Sequence, residues 1–355
     1  MNRRSLLPLT LSLLLALGLG ACNRQPEATS PDGTPTAAAP GETDATARTT
    51  ATPLPTPPPP EKIWEEFSGD KAFAHTEAQV ALGPRPSGSQ ALEVTRALIT
   101  AELERNGWEV ERQAFRDDTP NGPVAFINLI ARYGGSDKTQ KWIICSHFDT
   151  KIFSTIKFVG ASDGASSTGA LMELSRVLAL DPELAKQVEL VFFDGEEAVV
   201  EFSPTDGTYG SRHYARELRN SGRSKQFKAG VLWDMIGDRD LTITLPPDSP
   251  KELSQGILAA ADQLGLRKHF GFHRYPVWDD HVPLNQIKIP TIDLIDFDYP
   301  YWHTADDTLD KLSPESLRIV GAVTLRWLKT EVDPASAPVS PQSSPAETGA
   351  DAAQK

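Results

Sequence analysis

The chain has few cysteines, no run of one charge sign long enough to define a partner, and only one extended apolar stretch. Its 355 residues contain Cys22 and Cys145 alone. Once Cys22 is committed to another role, as argued below, Cys145 has no partner and an intramolecular disulfide is excluded. Formal net charge is −13, and no basic run occurs beyond Arg3-Arg4, so nucleic acid is excluded as a partner. The apolar stretch from Leu6 to Leu19 is too short to span a bilayer. No internal repeat of the length that builds solenoids occurs.

What is present begins with a secretory pattern. Arg3 and Arg4 precede that apolar stretch, and small residues follow it, so residues 1–21 read as a signal peptide. Leu19-Gly20-Ala21-Cys22 reads as a lipobox, with Cys22 the residue to be acylated and exposed as the mature N-terminus. Asn23, rather than aspartate, follows it; among the lipoproteins this segment resembles, that favours delivery to the outer membrane of a bacterial cell envelope. Residues 22–60 are rich in Ala, Thr and Pro and end in four consecutive prolines. With almost no large apolar side chains, such a segment cannot repay the entropy of ordering and reads as a disordered tether. Residues 333–355 have the same character. The span 61–332 remains as one domain with a substantial core.

Within that span the periodicity predicts alternating elements. Ala91–Glu104 reads as a helix with Leu92, Thr95, Leu98 and Leu103 near one face, stopped by Asn106-Gly107. Strands are expected from Trp108, at Phe126–Ala131 and at Trp142–Cys145. A helix over Gly169–Leu180 leads to a strand at Val188–Phe193, apolar enough to be covered on both faces. Then follow helix Tyr209–Arg219, strand Gly230–Ile236, helix Leu253–Leu264, strand Ile289–Ile295 and helix Leu317–Trp327. This order predicts an α/β fold with a mostly parallel or mixed central sheet flanked by helices. In such sheets, sites form beyond the carboxyl ends of the strands.

Residues of ligand type recur at those ends: His147, Asp163, the pair Glu196-Glu197, Asp234 and His303. Each alone has an ordinary explanation. A Glu-Glu pair is commonly a solvated turn, and Asp163 before a helix could be only a cap. Convergence on one rim weakens those explanations. Carboxylates with imidazoles, and no thiolate, suit a catalytic zinc with an open position.

Six segments then carry a family resemblance: SHFDTK at Ser146, GASDGASSTGALMELSRVL at Gly160, DGEEAVVEFSPTDGTYGSRHYA at Asp194, DMIG at Asp234, DDHVP at Asp279 and WHTADD at Trp302. In this order they resemble the glutaminyl cyclases, from Leu82 to Leu328. The resemblance implies the fold of the zinc aminopeptidases and one Zn²⁺ per domain, held by Asp163, Glu197 and His303. It implies Glu196 as acid/base, Asp234 and Asp279 as supporting catalytic carboxylates, and peptides or proteins with N-terminal Gln as partners. Trp302 corresponds to an aromatic of the pocket wall, and Phe202 stands where the family has a pocket tryptophan. His147 is left as a ligand of a second metal or a support to the first. Thr168 stands in place of a cysteine of the animal cyclases, and Asp293 in place of a common histidine. The chemistry is consistent with these roles, since the attacking amine and the amide are tethered in one substrate and the enzyme chiefly orients and polarises. Two rivals stay open. A two-zinc aminopeptidase is one, because all five possible ligands of a two-metal site are present. The other is a binding lipoprotein without metal, which would have no use for Glu196.

Overall fold

The computed structural model describes residues 58–135 and 138–333. The expected signal peptide at 1–21, the expected lipidation site Cys22, the expected tether as far as residue 57 and the tail from residue 334 lie outside the described residues. The first half runs α1 (Gly69–Val80), α2 (Gln90–Arg105), β1 (Trp108–Thr119), β2 (Gly122–Tyr133), β3 (Trp142–His147), α3 (Ser167–Leu178) and α4 (Pro182–Ala185). The second runs β4 (Val188–Phe193), α5 (Tyr209–Ser221), β5 (Ala229–Asp234), β6 (Ile243–Leu245), α6 (Lys251–Gln263), β7 (Phe270–Phe272), α7 (His281–Gln286), β8 (Thr291–Ile295) and α8 (Pro314–Val332).

The main sheet has six strands in the order β1-β2-β4-β3-β5-β8. The run β4-β3-β5-β8 is parallel, whereas β1 pairs β2, and β2 pairs β4, antiparallel. The sheet is therefore mixed, because the short Pro120-Asn121 connection can join only antiparallel neighbours. Every residue of β3, β4 and β5 is buried, as near-continuous apolar strands require. Along β1, exposure alternates with partial burial, the mark of a strand with one face toward water. Small β6 and β7 form a separate parallel pair.

Local rules account for the helix ends. Ser89 Oγ accepts from Leu92 N at 3.1 Å and starts α2, and Gly107, at φ +85°, ends the turn after it. On α2 the buried stripe is Leu92, Thr95, Ile99 and Leu103, while Leu98 is 37% exposed. The expected stripe is corrected at that position, because Leu98 sits about 100° around the helix from Ile99. The unforeseen α1 buries Ala72, Thr76 and Gln79, a stripe too small and polar to register as hydrophobic periodicity. It packs tightly on α3 at Gly169, where a Cβ would fall 2.4 Å from Thr76 Oγ1. Helix α8 is buried along most of its length and meets β3 edge to face through Trp327 and Trp142, with ring centroids 5.5 Å apart. Cys145 is a buried free thiol inside β3. Because β3, β4, β5 and β8 are parallel, their carboxyl ends share one edge of the sheet.

Candidate active site

Each candidate side chain leaves a different element at that edge. His147 ends β3, Asp234 ends β5, and Glu196 and Glu197 follow β4 after Gly195. Asp279 immediately precedes the turn into α7, and His303 lies in the loop after β8. Asp163 was a possible helix cap from sequence. Instead it sits in an irregular turn, Ala161–Ser166, with extended φ/ψ of −80° and 101° and no capping bond. Gly164 beside it has φ +89°, and a Cβ there would lie 2.6 Å from Asp149 O. Only glycine lets the Asp163 turn approach that backbone.

Among the described residues the geometry gathers three donor sets, of which two share one residue and the third joins Asp279, His281 and Asp293. His303 Nε2 lies 3.4 Å from Asp163 Oδ2 and 3.3 Å from Glu197 Oε2. His147 Nε2 lies 3.2 Å from Asp163 Oδ1 and 3.2 Å from Asp234 Oδ1. The two oxygens of Asp163 thus divide between the histidines. Asp163 Oδ2 and Glu197 Oε2 are fully buried and have no hydrogen-bond partner. Buried acceptors left unpaired are expensive. Two carboxylates and an imidazole with these spacings fit a cation such as zinc, whose ligand bonds run ~2.0–2.2 Å. The set Asp163–Glu197–His303 can hold such an ion, and His147–Asp163–Asp234 forms a second candidate. His303 has φ +55°, a left-handed conformation uncommon for a side chain of its size.

A cavity of about 350 Å³ opens over the first set, lined by Asp163, Glu196, Glu197, Phe202, Asp234, Asp279, Trp302 and His303 among others. All the expected catalytic, metal-binding and pocket residues except His147 therefore line one space. His147 is buried, bound to Asp163 and Asp234. Trp302 stacks on His303 at 4.3 Å with 24° between planes. Phe202 lies against Lys151, whose Nζ is 5.6 Å from its ring centre.

Burial dominates the electrostatics. It pushes the Glu196 carboxyl well above the carboxylate range, and the negative charge of Asp279 pushes it further. Asp279 is raised strongly by burial, with Asp234 and Asp280 adding to it. Burial raises Glu197 to about 7, helped by Asp163. Burial opposes the charge on His147, but its bonds to Asp149, Asp163 and Asp234 outweigh this and raise it well above its usual value. A carboxyl that can hold a proton near neutrality suits general acid–base work.

Three supporting residues were not singled out from sequence, although each lies inside a quoted motif. Asp149 accepts from Glu196 N at 3.2 Å and Glu197 N at 3.3 Å, fixing the backbone of the pair. Asp307 accepts from Ser162 N at 2.7 Å and Asp163 N at 3.2 Å, fixing the Asp163 turn. Lys151 N donates to Glu197 Oε1 at 3.1 Å, and its ammonium reaches Ala198 O at 2.7 Å. Their signal was the recurrence of charged residues within four positions of His147 and His303, which sequence alone could not separate from capping or surface charge. Asp293, by contrast, is buried in β8 beside His281 at 3.6 Å, beneath the loop that carries Asp279.

Known proteins are similar to this chain in sequence and in fold. Residues 128–328 match Peptidase family M28. The glutaminyl-peptide cyclotransferase of Gloydius blomhoffii is 33% identical over 268 residues, covering 62% of this chain and 71% of that protein. That of Boiga irregularis is 32% identical over 253 residues, covering 59% and 67%. The crystal structure of an Acidobacteriales bacterium glutaminyl cyclase is 34% identical, with a TM-score of 0.69 over 79% of this chain and 98% of its own. A Zn-dependent exopeptidase from Parabacteroides distasonis, at 24% identity and a TM-score of 0.67, shares the fold over 77% of this chain and 99% of its own.

Proposed function

We infer that this chain, which belongs to Peptidase family M28 and within it to the glutaminyl-peptide cyclotransferases, is a glutaminyl cyclase that converts the N-terminal glutamine of peptides to pyroglutamate and releases ammonia. One observation carries the reading. Glu196 and Asp279, both kept protonatable by burial, line the same cavity as the Asp163–Glu197–His303 donor set. Asp163, Glu197 and His303 would hold one zinc ion, because their atoms are close, buried and partly unpaired. Zinc, when bound there, supplies Lewis-acid polarisation of the substrate's side-chain carbonyl.

The remaining work falls to the chain's own residues. Cyclisation forms a bond from the α-nitrogen to the side-chain amide carbon and breaks the bond from that carbon to the amide nitrogen. Glu196 would take the proton lost by the attacking amine and deliver it to the departing ammonia. Asp279, whose carboxyl burial raises well above its usual range, can exchange hydrogen bonds with the leaving nitrogen. Asp234, tied to His147 at 3.2 Å, braces the carboxylate side of the site. Trp302 offers a flat wall beside His303, and Phe202 closes the cavity from the loop after Glu197.

The sharing of Asp163 between two donor sets favours a second reading, a two-zinc aminopeptidase. Mass spectrometry of a Gln-initiated peptide after incubation separates the two. Loss of ammonia from an otherwise intact peptide supports cyclisation, and release of a free amino acid supports the peptidase. Metal analysis supports the cyclase at one zinc per chain and the peptidase at two. The lipobox supports anchoring through acylated Cys22 in the cell envelope, at the outer membrane. Fatty-acid labelling that persists in Cys22→Ala would refute that part.

A further inference from the structure

The edge of the sheet opposite the site carries the other sign of charge, although no basic run marks it in the sequence. A lysine stands shortly before each of the four parallel strands: Lys141 before β3, Lys186 before β4, Lys228 before β5 and Lys288 before β8. Lys141, Lys228 and Lys288 are exposed. Lys228 N donates to Lys141 O at 2.8 Å, so these two are neighbours. Helix α5 ends at the same edge, as Arg223 on Glu189 shows. Residues 211–228 carry Arg212, Arg216, Arg219, Arg223, Lys225 and Lys228 against Glu217 alone, in a chain of net charge −13. Among the described residues, Lys141, Lys225, Lys228 and Lys288 form no ion pair, whereas three acids nearby are already engaged. Glu183 binds Lys186 at 2.7 Å, Asp181 binds Lys329 at 3.0 Å, and Glu189 binds Arg132 and Arg223. Cations gathered in this way repel one another, and a negative surface relieves that repulsion.

The way the chain enters the domain selects the surface. Trp64 lies under the Arg326 guanidinium at 4.7 Å and Phe67 packs on Gly321, so the chain runs in along α8 from the side of the amino edge. Trp327, next to Arg326, meets Trp142 at the start of β3. Acylation at Cys22, a reading on which this inference rests, would hold that side of the domain within a tether's length of lipid headgroups. Basic residues beside an anchor are drawn to anionic headgroups over about one Debye length, ~10 Å at 0.1 M salt. The acidic catalytic edge lies farther off, roughly 20 Å away along the six residues of β3, so its repulsion is screened. We propose that the amino edge, centred on Lys141, Lys225 and Lys228, docks on an anionic lipid surface and turns the catalytic edge away from the membrane.

The test takes the mature chain from residue 22 with Cys22→Ala, so that no acyl chain contributes, and measures its partition onto vesicles by sedimentation. At about 0.1 M salt, partition onto vesicles with about one-third phosphatidylglycerol is expected to exceed that onto pure phosphatidylcholine roughly tenfold. At about 1 M salt the excess should vanish. Lys141→Glu, Lys225→Glu and Lys228→Glu together are expected to remove it, with zinc content and melting temperature unchanged. The same reversal at Lys71, Lys157 and Lys268, exposed lysines elsewhere on the domain, alters net charge equally and is expected to keep most of it. Should the edge variant melt early, Lys225→Gln with Lys228→Gln is the milder pair, expected to lower the excess about threefold. Equal partition onto both vesicles, an excess that the edge substitutions leave intact, equal loss in both triple variants, or tighter binding to duplex DNA than to the vesicles each overturns the docking surface. Fatty-acid labelling of the wild type reports the acylation by itself, so loss of the anchor and loss of the docking surface appear in different measurements.

Discussion

The two ends of strand β4 treat buried acids in opposite ways. At its amino end Glu189 is wholly buried, yet Arg132 lies at 2.6 Å, Arg223 at 2.8 Å, and Tyr214 donates its hydroxyl. At its carboxyl end, Glu196 and Glu197 sit among Asp163, Asp234, Asp279 and Asp280. The ion-pair partners within that group are the imidazoles of His147 and His303, with the Lys151 ammonium 3.9 Å from Glu197. The first arrangement neutralises a charge and leaves nothing to react. The second leaves acceptors without hydrogen bonds and carboxyls whose proton affinity burial raises, so that a proton can be taken up and given back there. A fold can satisfy a buried acid where it needs to, so leaving several unsatisfied at one edge marks that edge as the place for a cation and for proton transfer.

Glu197→Gln at the carboxyl end should have the largest effect. Replacing an anionic ligand with a neutral amide is expected to abolish zinc retention and turnover together, with turnover partly restored by excess zinc. Metal content and rate measured on one preparation check it; a variant that keeps full zinc breaks the contrast. Glu196→Gln is expected to keep zinc and melting temperature while turnover falls by roughly 10²–10⁴-fold. A near-normal rate would remove Glu196 from proton transfer.

Arg132→Ala tests the amino end. It leaves Glu189 with Arg223 and Tyr214 only, and a loss of about 1–3 kcal/mol of stability is expected, with zinc content unchanged. Denaturant unfolding monitored alongside metal analysis would show it. If zinc is lost with stability, the two ends are not separate.

The smallest effect concerns Asp296, which follows β8 at the carboxyl edge and donates its N–H to Asp234 O at 3.4 Å. Burial raises its carboxyl to about 7, with Asp238 adding to this, and Oδ1 has no partner while Oδ2 accepts from Thr242 N at 2.9 Å. The unfolded value is near ~3.9. Between those values the folded state holds the extra proton, so this group's contribution favours folding at low pH and is lost as pH rises toward 7. Asp296→Asn should therefore gain stability relative to wild type at pH 8 compared with pH 5, on the order of 1–2 kcal/mol. Melting temperatures at the two pH values check the sign, and an equal difference at both would refute it.

Much of this was already written in the chain. Residues Val188–Phe193 form β4 with the bounds their apolar run predicts, and α2 differs from its expected span by one residue at each end. Glu196, Glu197, Asp234 and His303 were singled out because polar ligand types follow short buried strands, a pattern that depends only on local hydrophobicity and chemistry, whereas Asp279 came only from the family resemblance. The antiparallel β1–β2 edge, the polar stripe of α1 and the exposure of Leu98 were not legible, because each depends on what packs opposite. The same holds for the sharing of Asp163 between His147 and His303 and for the supports given by Asp149 and Asp307. Sequence determined which side chains were available and at which strand ends they would stand. Tertiary structure decided which of their atoms meet and which are left unpaired, because those distances are set by the stacking of four parallel strands whose contacts are distant along the chain.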